Sequence, residues 1–183
     1  MQKIMTINKK YIVTGLIVAA IIFSKRFMNV KKTWSKRNDD EISRLHPKIR
    51  EIAANFINDL HKQLNLKLLI VSGYRTFPQQ AELYAQGRTK PGRIVTNAKP
   101  GYSYHNYGLA FDLAHTNVAG RVDWSKPITK QIADIGKKYG LEWGGSWRGF
   151  VDPPHFQLTL APISKLWQLH TAKKFDTGGY VIV

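Results

Sequence analysis

The chain has 183 residues, 43% of them apolar and 22% charged, and no cysteine. That length suits one globular domain and hardly two, and the missing cysteine excludes a disulfide scaffold, a thiol nucleophile and a thiolate metal site. Any bound metal must therefore rely on His, Asp and Glu. The net charge of +16 points to a polyanionic partner, yet nine of the cations stand in residues 1–37, which hold no acid. The rest of the chain carries only +7. That suits a loose, salt-screened attraction to an anionic polymer and not a nucleic-acid reader, for which no recognition motif or basic helix is present.

An uncharged run over residues 11–23, YIVTGLIVAAIIF, lies between the basic pairs Lys9–Lys10 and Lys25–Arg26. As a helix it measures roughly 20 Å at ~1.5 Å per residue, short of a ~30 Å hydrocarbon core unless the flanking cations snorkel. Ile21, Ile22 and Phe23 stand where a signal-peptide cleavage site needs small residues. Residues 1–30 are accordingly expected to form a hydrophobic helix acting as an uncleaved signal anchor. More cations follow the run than precede it, which opposes export of the downstream domain under the positive-inside rule. Residues 31–41, KKTWSKRNDDE, are expected as a polar linker.

From residue 42 to 64 the apolar positions Ile42, Leu45, Ile49, Ile52, Phe56, Leu60 and Leu64 recur at helical spacing, with an interruption or restart at Pro47. A strand follows over residues 66–72, closed by Gly73, and Pro78 opens a second helix that stops at Gly87. Residues 87–104 read as a loop with one short strand over residues 94–96, and residues 108–114 as a strand. Asp123 or Ser125 is placed to cap a helix with Pro127 in its first turn, running to Gly140. Strands are expected around residues 141–143 and 155–160, and residues 171–183 as a tail. Helices and strands come in runs and not in alternation, which predicts an α+β domain over residues 42–170 with a small, mostly antiparallel sheet.

Two of the six histidines stand out. His105 ends the glycine- and tyrosine-rich loop, and Asp112 follows inside the strand GLAFDLA, where a carboxylate among apolar residues needs a cation, a metal or several donors. His155 starts another apolar strand directly after Asp152-Pro153-Pro154. Two histidines and one carboxylate supply three of the four tetrahedral ligands of zinc and leave the fourth position for water. Asp152, on its stiff Pro-Pro segment, is placed to take the proton of a water attacking a carbonyl and hand it to a leaving amine. Arg75, just past the first strand, is the candidate to stabilise the developing oxyanion. His46, His61 and His170 read as surface or packing residues. His115, three residues past Asp112, falls on the opposite strand face.

The stretches SGYRT (72–76), QQAELYAQGR (79–88), SYHNYGLAFDLA (103–114), EWGGSW (142–147) and DPPHFQL (152–158) together resemble the peptidoglycan zinc metallopeptidases that include D-alanyl-D-alanine carboxypeptidases and L-alanyl-D-glutamate endopeptidases. The resemblance implies Zn2+ on His105, Asp112 and His155, Asp152 as general base and Arg75 at the oxyanion. Ser103, Tyr104, Gln80 and Trp143, each inside a matched stretch, are expected to contact substrate. An Asp base spaced D-x-x-H and a tyrosine before the histidine are similar to the endopeptidase branch of phage endolysins and their bacillary relatives. The expected substrate is thus the peptidoglycan stem peptide, with the bond between L-alanine and D-glutamate as the favoured point of cleavage, and the expected enzyme is a monomer held at the inner membrane and facing the cell wall. A D-alanyl-D-alanine carboxypeptidase and a non-catalytic zinc-bearing wall-binding module are the alternatives. The loop between Asp112 and the helix after Ser125 is shorter than in longer relatives, which implies fewer substrate contacts there.

Overall fold

The sheet that carries the candidate site has five antiparallel strands: β1 (Leu68–Ser72), β2 (Ala110–Thr116), β3 (Val122–Asp123), β4 (Glu142–Trp143) and β5 (His155–Gln157). Its order is β1-β2-β5-β4, with β3 paired to the end of β2. Among the described residues the α-helices are α1 (Lys36–Arg44), α2 (Pro47–Leu64), α3 (Phe77–Ala85), α4 (Lys130–Lys138) and α5 (Ile163–Thr171). This computed structural model describes residues 30–183. The hydrophobic run and its expected anchor helix lie outside the described residues, among which no helix is long and apolar enough to cross a membrane.

Strand periodicity sorts core from site. Phe111 of β2 and Phe156 of β5 lie parallel with ring centroids 6.1 Å apart, and Phe56 of α2 sits 5.0 Å from Phe156; all three are fully buried. One residue out of step, Asp112 and His155 point to the other face. β1 is bulged between Ile70 and Ser72, which brings Ser72 opposite Asp112. A second apolar cluster of Tyr107, Leu109, Leu166 and Val181 supports the segment that carries His105.

Residues 31–41, expected as a linker, instead contribute α1 to the domain. Asn38, fully buried, donates to the Leu68 carbonyl (2.9 Å) and accepts from the Ile70 N–H (2.8 Å). β1 is an edge strand, and this one amide satisfies its outer backbone groups as a neighbouring strand would. The break at Pro47 is real: His46 caps α2, its Nδ1 accepting from the Lys48 N–H at 3.2 Å. α3 begins with a capping box between Thr76 and Gln79 and has Pro78 in its first turn.

Three expected elements differ. Residues 94–96 form no strand: none of the described strands pairs with them, and the Thr96 carbonyl is taken by Arg88 (3.0 Å). α4 starts at Lys130 and not near Pro127, whose carbonyl is held by His115 Nε2 at 3.1 Å. β5 ends at Gln157, short of the expected Leu160. The tail turns back on itself through a Phe175–Val181 bridge and buries Val181 against His46, whose Nε2 lies 3.1 Å from the Val181 carbonyl.

Candidate metal centre and catalytic cleft

The β2–β5 register sets Asp112 directly opposite His155. His105 reaches the same point from a 3-10 turn, Tyr104–Tyr107, that ends at Gly108. Gly108 has φ +65°, and a Cβ there would meet the backbone nitrogen of His46 at 2.7 Å, so only glycine lets the turn close against α2. His105 Nε2 and His155 Nδ1 are 3.1 Å apart, and Asp112 Oδ1 lies 3.3 Å from each.

Hydrogen bonds on the far sides of the rings assign the tautomers. His105 Nδ1 faces the Gly73 carbonyl at 2.8 Å and His155 Nε2 faces Gln157 Oε1 at 3.0 Å, so each of these nitrogens carries the proton. The inward nitrogens therefore present lone pairs, to each other and to a carboxylate oxygen that is buried with no hydrogen-bond partner among the described residues. Three converging lone pairs repel unless a cation sits among them. Tetrahedral zinc with ~2.0–2.1 Å bonds sets neighbouring ligand atoms about 3.4 Å apart, close to the spacing found, and the donor set of two imidazoles and one carboxylate suits zinc. With protons in place of a metal on the two inward nitrogens, burial raises the Asp112 carboxyl but the charge and hydrogen bonds of His105 and His155 outweigh it and hold the group far below the usual carboxylate range.

Asp152 precedes β5 on a segment tied down by its own backbone, its N–H donating to the Gly144 carbonyl (3.0 Å) and its carbonyl accepting from the His155 N–H (3.1 Å). Burial and then the Asp112 carboxylate push its carboxyl above the usual range, against the pull of His155, His105 and Arg75. A raised carboxylate is a better proton acceptor near neutral pH. Arg75 donates to Gln80 Oε1 (2.8 Å), Ser72 Oγ (2.9 Å) and Asp112 Oδ2 (3.4 Å). Burial lowers its guanidinium, and Asp112 and Asp152 offset part of that.

These groups open into a cavity of about 880 Å³ whose walls include Ser103, Tyr104, Trp147, Trp124 and Phe150. Trp147 lies with its ring centroid 5.0 Å from that of His155. Ser103 and Tyr104 line the cavity, with the Tyr104 hydroxyl donating to the Ala161 carbonyl (2.9 Å). Gln80, expected among those contacts, is instead fully buried, gripping Arg75 on one side and the Ala98 carbonyl (2.8 Å) on the other. Trp143 is also off the cavity wall, its indole N–H donating to the Pro153 carbonyl (2.7 Å) and so bracing the Asp152 segment. Trp124 and Phe150 were not anticipated. Trp124, 64% exposed, shows that even the short loop after β2 contributes to the cleft; a bulky aromatic in a polar loop was the available signal.

Comparison with known proteins agrees with this geometry. A family profile described as D-alanyl-D-alanine carboxypeptidase, peptidase M15, matches residues 96–158, the span that holds His105, Asp112, Asp152 and His155. The chain is 37% identical over 145 residues to the peptidoglycan L-alanyl-D-glutamate endopeptidase CwlK of Bacillus subtilis (strain 168), covering 72% of this chain and 86% of that one. It is 34% identical over 108 residues to the L-alanyl-D-glutamate peptidase of Listeria phage A118, covering 57% of this chain and 35% of that one. Among solved structures, the Serratia marcescens L-Ala D-Glu endopeptidase ChiX matches 70% of this chain and 91% of its own, with TM-score 0.47 and 24% identity. With a relative of this identity matched over most of its length, and with a donor set that fits zinc, the chain belongs to the peptidase M15 family of zinc metallopeptidases.

Proposed function

We propose that this protein hydrolyses the L-alanyl-D-glutamate bond of the peptidoglycan stem peptide. The observation that carries the reading is the 37% identity to an endopeptidase of that specificity, matched over 86% of its length. The cleft supplies compatible chemistry. When bound by His105, Asp112 and His155, zinc supplies Lewis acidity to the scissile carbonyl and to a water beside it. Asp152 accepts a proton from that water as the water oxygen bonds to the carbonyl carbon. It returns the proton to the amide nitrogen as the C–N bond breaks, so that one water is consumed and an acid and an amine leave. Arg75, oriented by Gln80 and Ser72, keeps further N–H donors for the oxygen on which negative charge develops. Trp147, Trp124 and Phe150 offer apolar and aromatic surface to the rest of the substrate.

Removal of a terminal D-alanine is the second reading, favoured by the description of the matched family profile. The apolar run of residues 11–23 supports a location at the inner membrane, on the far side of which the stem peptide is found, while the more basic flank after the run opposes export. The catalytic assignment is tested with Asp152→Asn on purified cell walls. Turnover should fall by about 10²–10⁴-fold, the span that general acid–base catalysis contributes, while zinc content stays unchanged. Undiminished release of fragments would remove Asp152 from the reaction.

A further inference from the structure

The imidazole of His155 does not end its hydrogen bonding at Gln157. Gln157 is buried, lies two residues along β5 from His155 and so shares its face of the sheet. Its Nε2 donates to Glu142 Oε2 (3.0 Å) and to Thr159 Oγ1 (3.0 Å). Glu142 is the direct cross-strand partner of Gln157 in the β4–β5 register and is exposed. Because a carboxylate only accepts, Glu142 fixes which end of the amide faces it, and the amide oxygen must then face His155 Nε2.

We propose that Glu142, a surface carboxylate outside the cleft, sets the zinc affinity of His155 through the Gln157 amide, making both positioning residues for the metal centre. Ligating histidines ordinarily pass their second N–H to a carboxylate or carbonyl, which orients the ring and raises its basicity. Here the carboxylate stands one amide further out. The amide carries no charge of its own, so the anion stays in solvent while polarisation along the chain of hydrogen bonds conveys part of its effect. Without that charge, Gln157 loses the partner that orients it, and the His155 tautomer with its lone pair toward the metal loses its support.

The proposal rests on the zinc site and not on which bond is cleaved, so its test needs no substrate. Zinc affinity of the full chain is measured by competition with a chromophoric chelator. Glu142→Gln is nearly isosteric, sits at an exposed position and leaves the fold in place; it should weaken zinc binding by about tenfold, and Gln157→Leu by up to ~100-fold, the range seen for outer hydrogen-bond partners. The reversed pair E142Q/Q157E rebuilds the chain, with the carboxylate now on β5 accepting from Nε2–H and the amide now on β4 donating to that carboxylate. It should bind zinc more tightly than E142Q alone, because His155 Nε2–H again has a carboxylate-backed acceptor. A residue acting only through packing would show no such recovery. Equal affinity of E142Q and the wild type, or a reversed pair as weak as E142Q alone, would overturn the proposal.

Discussion

Gly144 stands where β4 gives way to the segment that closes on Asp152, and it is the point at which one methyl group should do most harm to catalysis. Its carbonyl accepts from the N–H groups of Asp152 (3.0 Å) and Trp147 (3.2 Å), which holds the two segments in contact. A Cβ on residue 144 would lie 2.5 Å from the Asp152 carbonyl oxygen, 3.0 Å from His155 Cβ and 3.2 Å from Asp152 Cβ. Ordinary contact begins near 3.4 Å, and these neighbours are backbone or the first side-chain atom, with no flexible end to swing aside. Gly144→Ala must therefore displace the Asp152–His155 segment by about an ångström, a misplacement that costs on the order of 10²-fold in rate. Overpacking of this kind costs about 1–3 kcal/mol, which a folded domain survives. Steady-state kinetics on a stem-peptide substrate, beside a thermal melt, should show kcat reduced about 10²-fold in a protein that still melts cooperatively. Wild-type kcat in Gly144→Ala would refute the close packing of these segments and the dependence of Asp152 on it.

Further outcomes follow from other contacts. Asn38→Leu leaves two backbone groups of β1 without their partner and should destabilise the domain by about 2–6 kcal/mol, at ~1–3 kcal/mol for each unsatisfied group, read from urea unfolding midpoints. Chelating the metal returns three lone pairs to mutual repulsion; against zinc at 100 times its Kd the loss is about 2.7 kcal/mol, a melting shift of roughly 5–11 °C for a chain of this size. Burial lowers His46 below its ordinary 6.5 despite the bond to the Val181 carbonyl. The unfolded chain then takes up the proton first, so the stability this neutral histidine contributes is present above pH 6.5 and is lost as pH falls through the lower folded value. His46→Gln should flatten that part of the urea-midpoint profile.

Much of the site can be read in the sequence because its chemistry contradicts its surroundings. Asp112 sits in an apolar strand and His155 follows a stiff Pro-Pro turn, and the structure brings both with His105 to ligand atoms within 4.8 Å of one another. What could not be read depends on partners far along the chain. Asn38 looks like linker composition until β1, 30 residues on, supplies its hydrogen-bond partners. Gln80 looks like a polar helix residue available to substrate, and only the buried guanidinium of Arg75 explains why it is wholly enclosed. Ile94 and Val95 have strand-forming side chains, yet both stay exposed, because intrinsic preference without a neighbouring strand does not make a sheet. The helix expected from Pro127 begins later because His115, on the β2 face opposite Asp112, captures the Pro127 carbonyl.

The most direct test of the proposed cleavage is to digest purified peptidoglycan with the zinc-loaded protein and identify the new termini by mass spectrometry. Cleavage between L-alanine and D-glutamate leaves muramyl-L-alanine with a free carboxyl group and releases peptides that begin with D-glutamate. Free D-alanine with the L-alanyl-D-glutamate bond intact would contradict it.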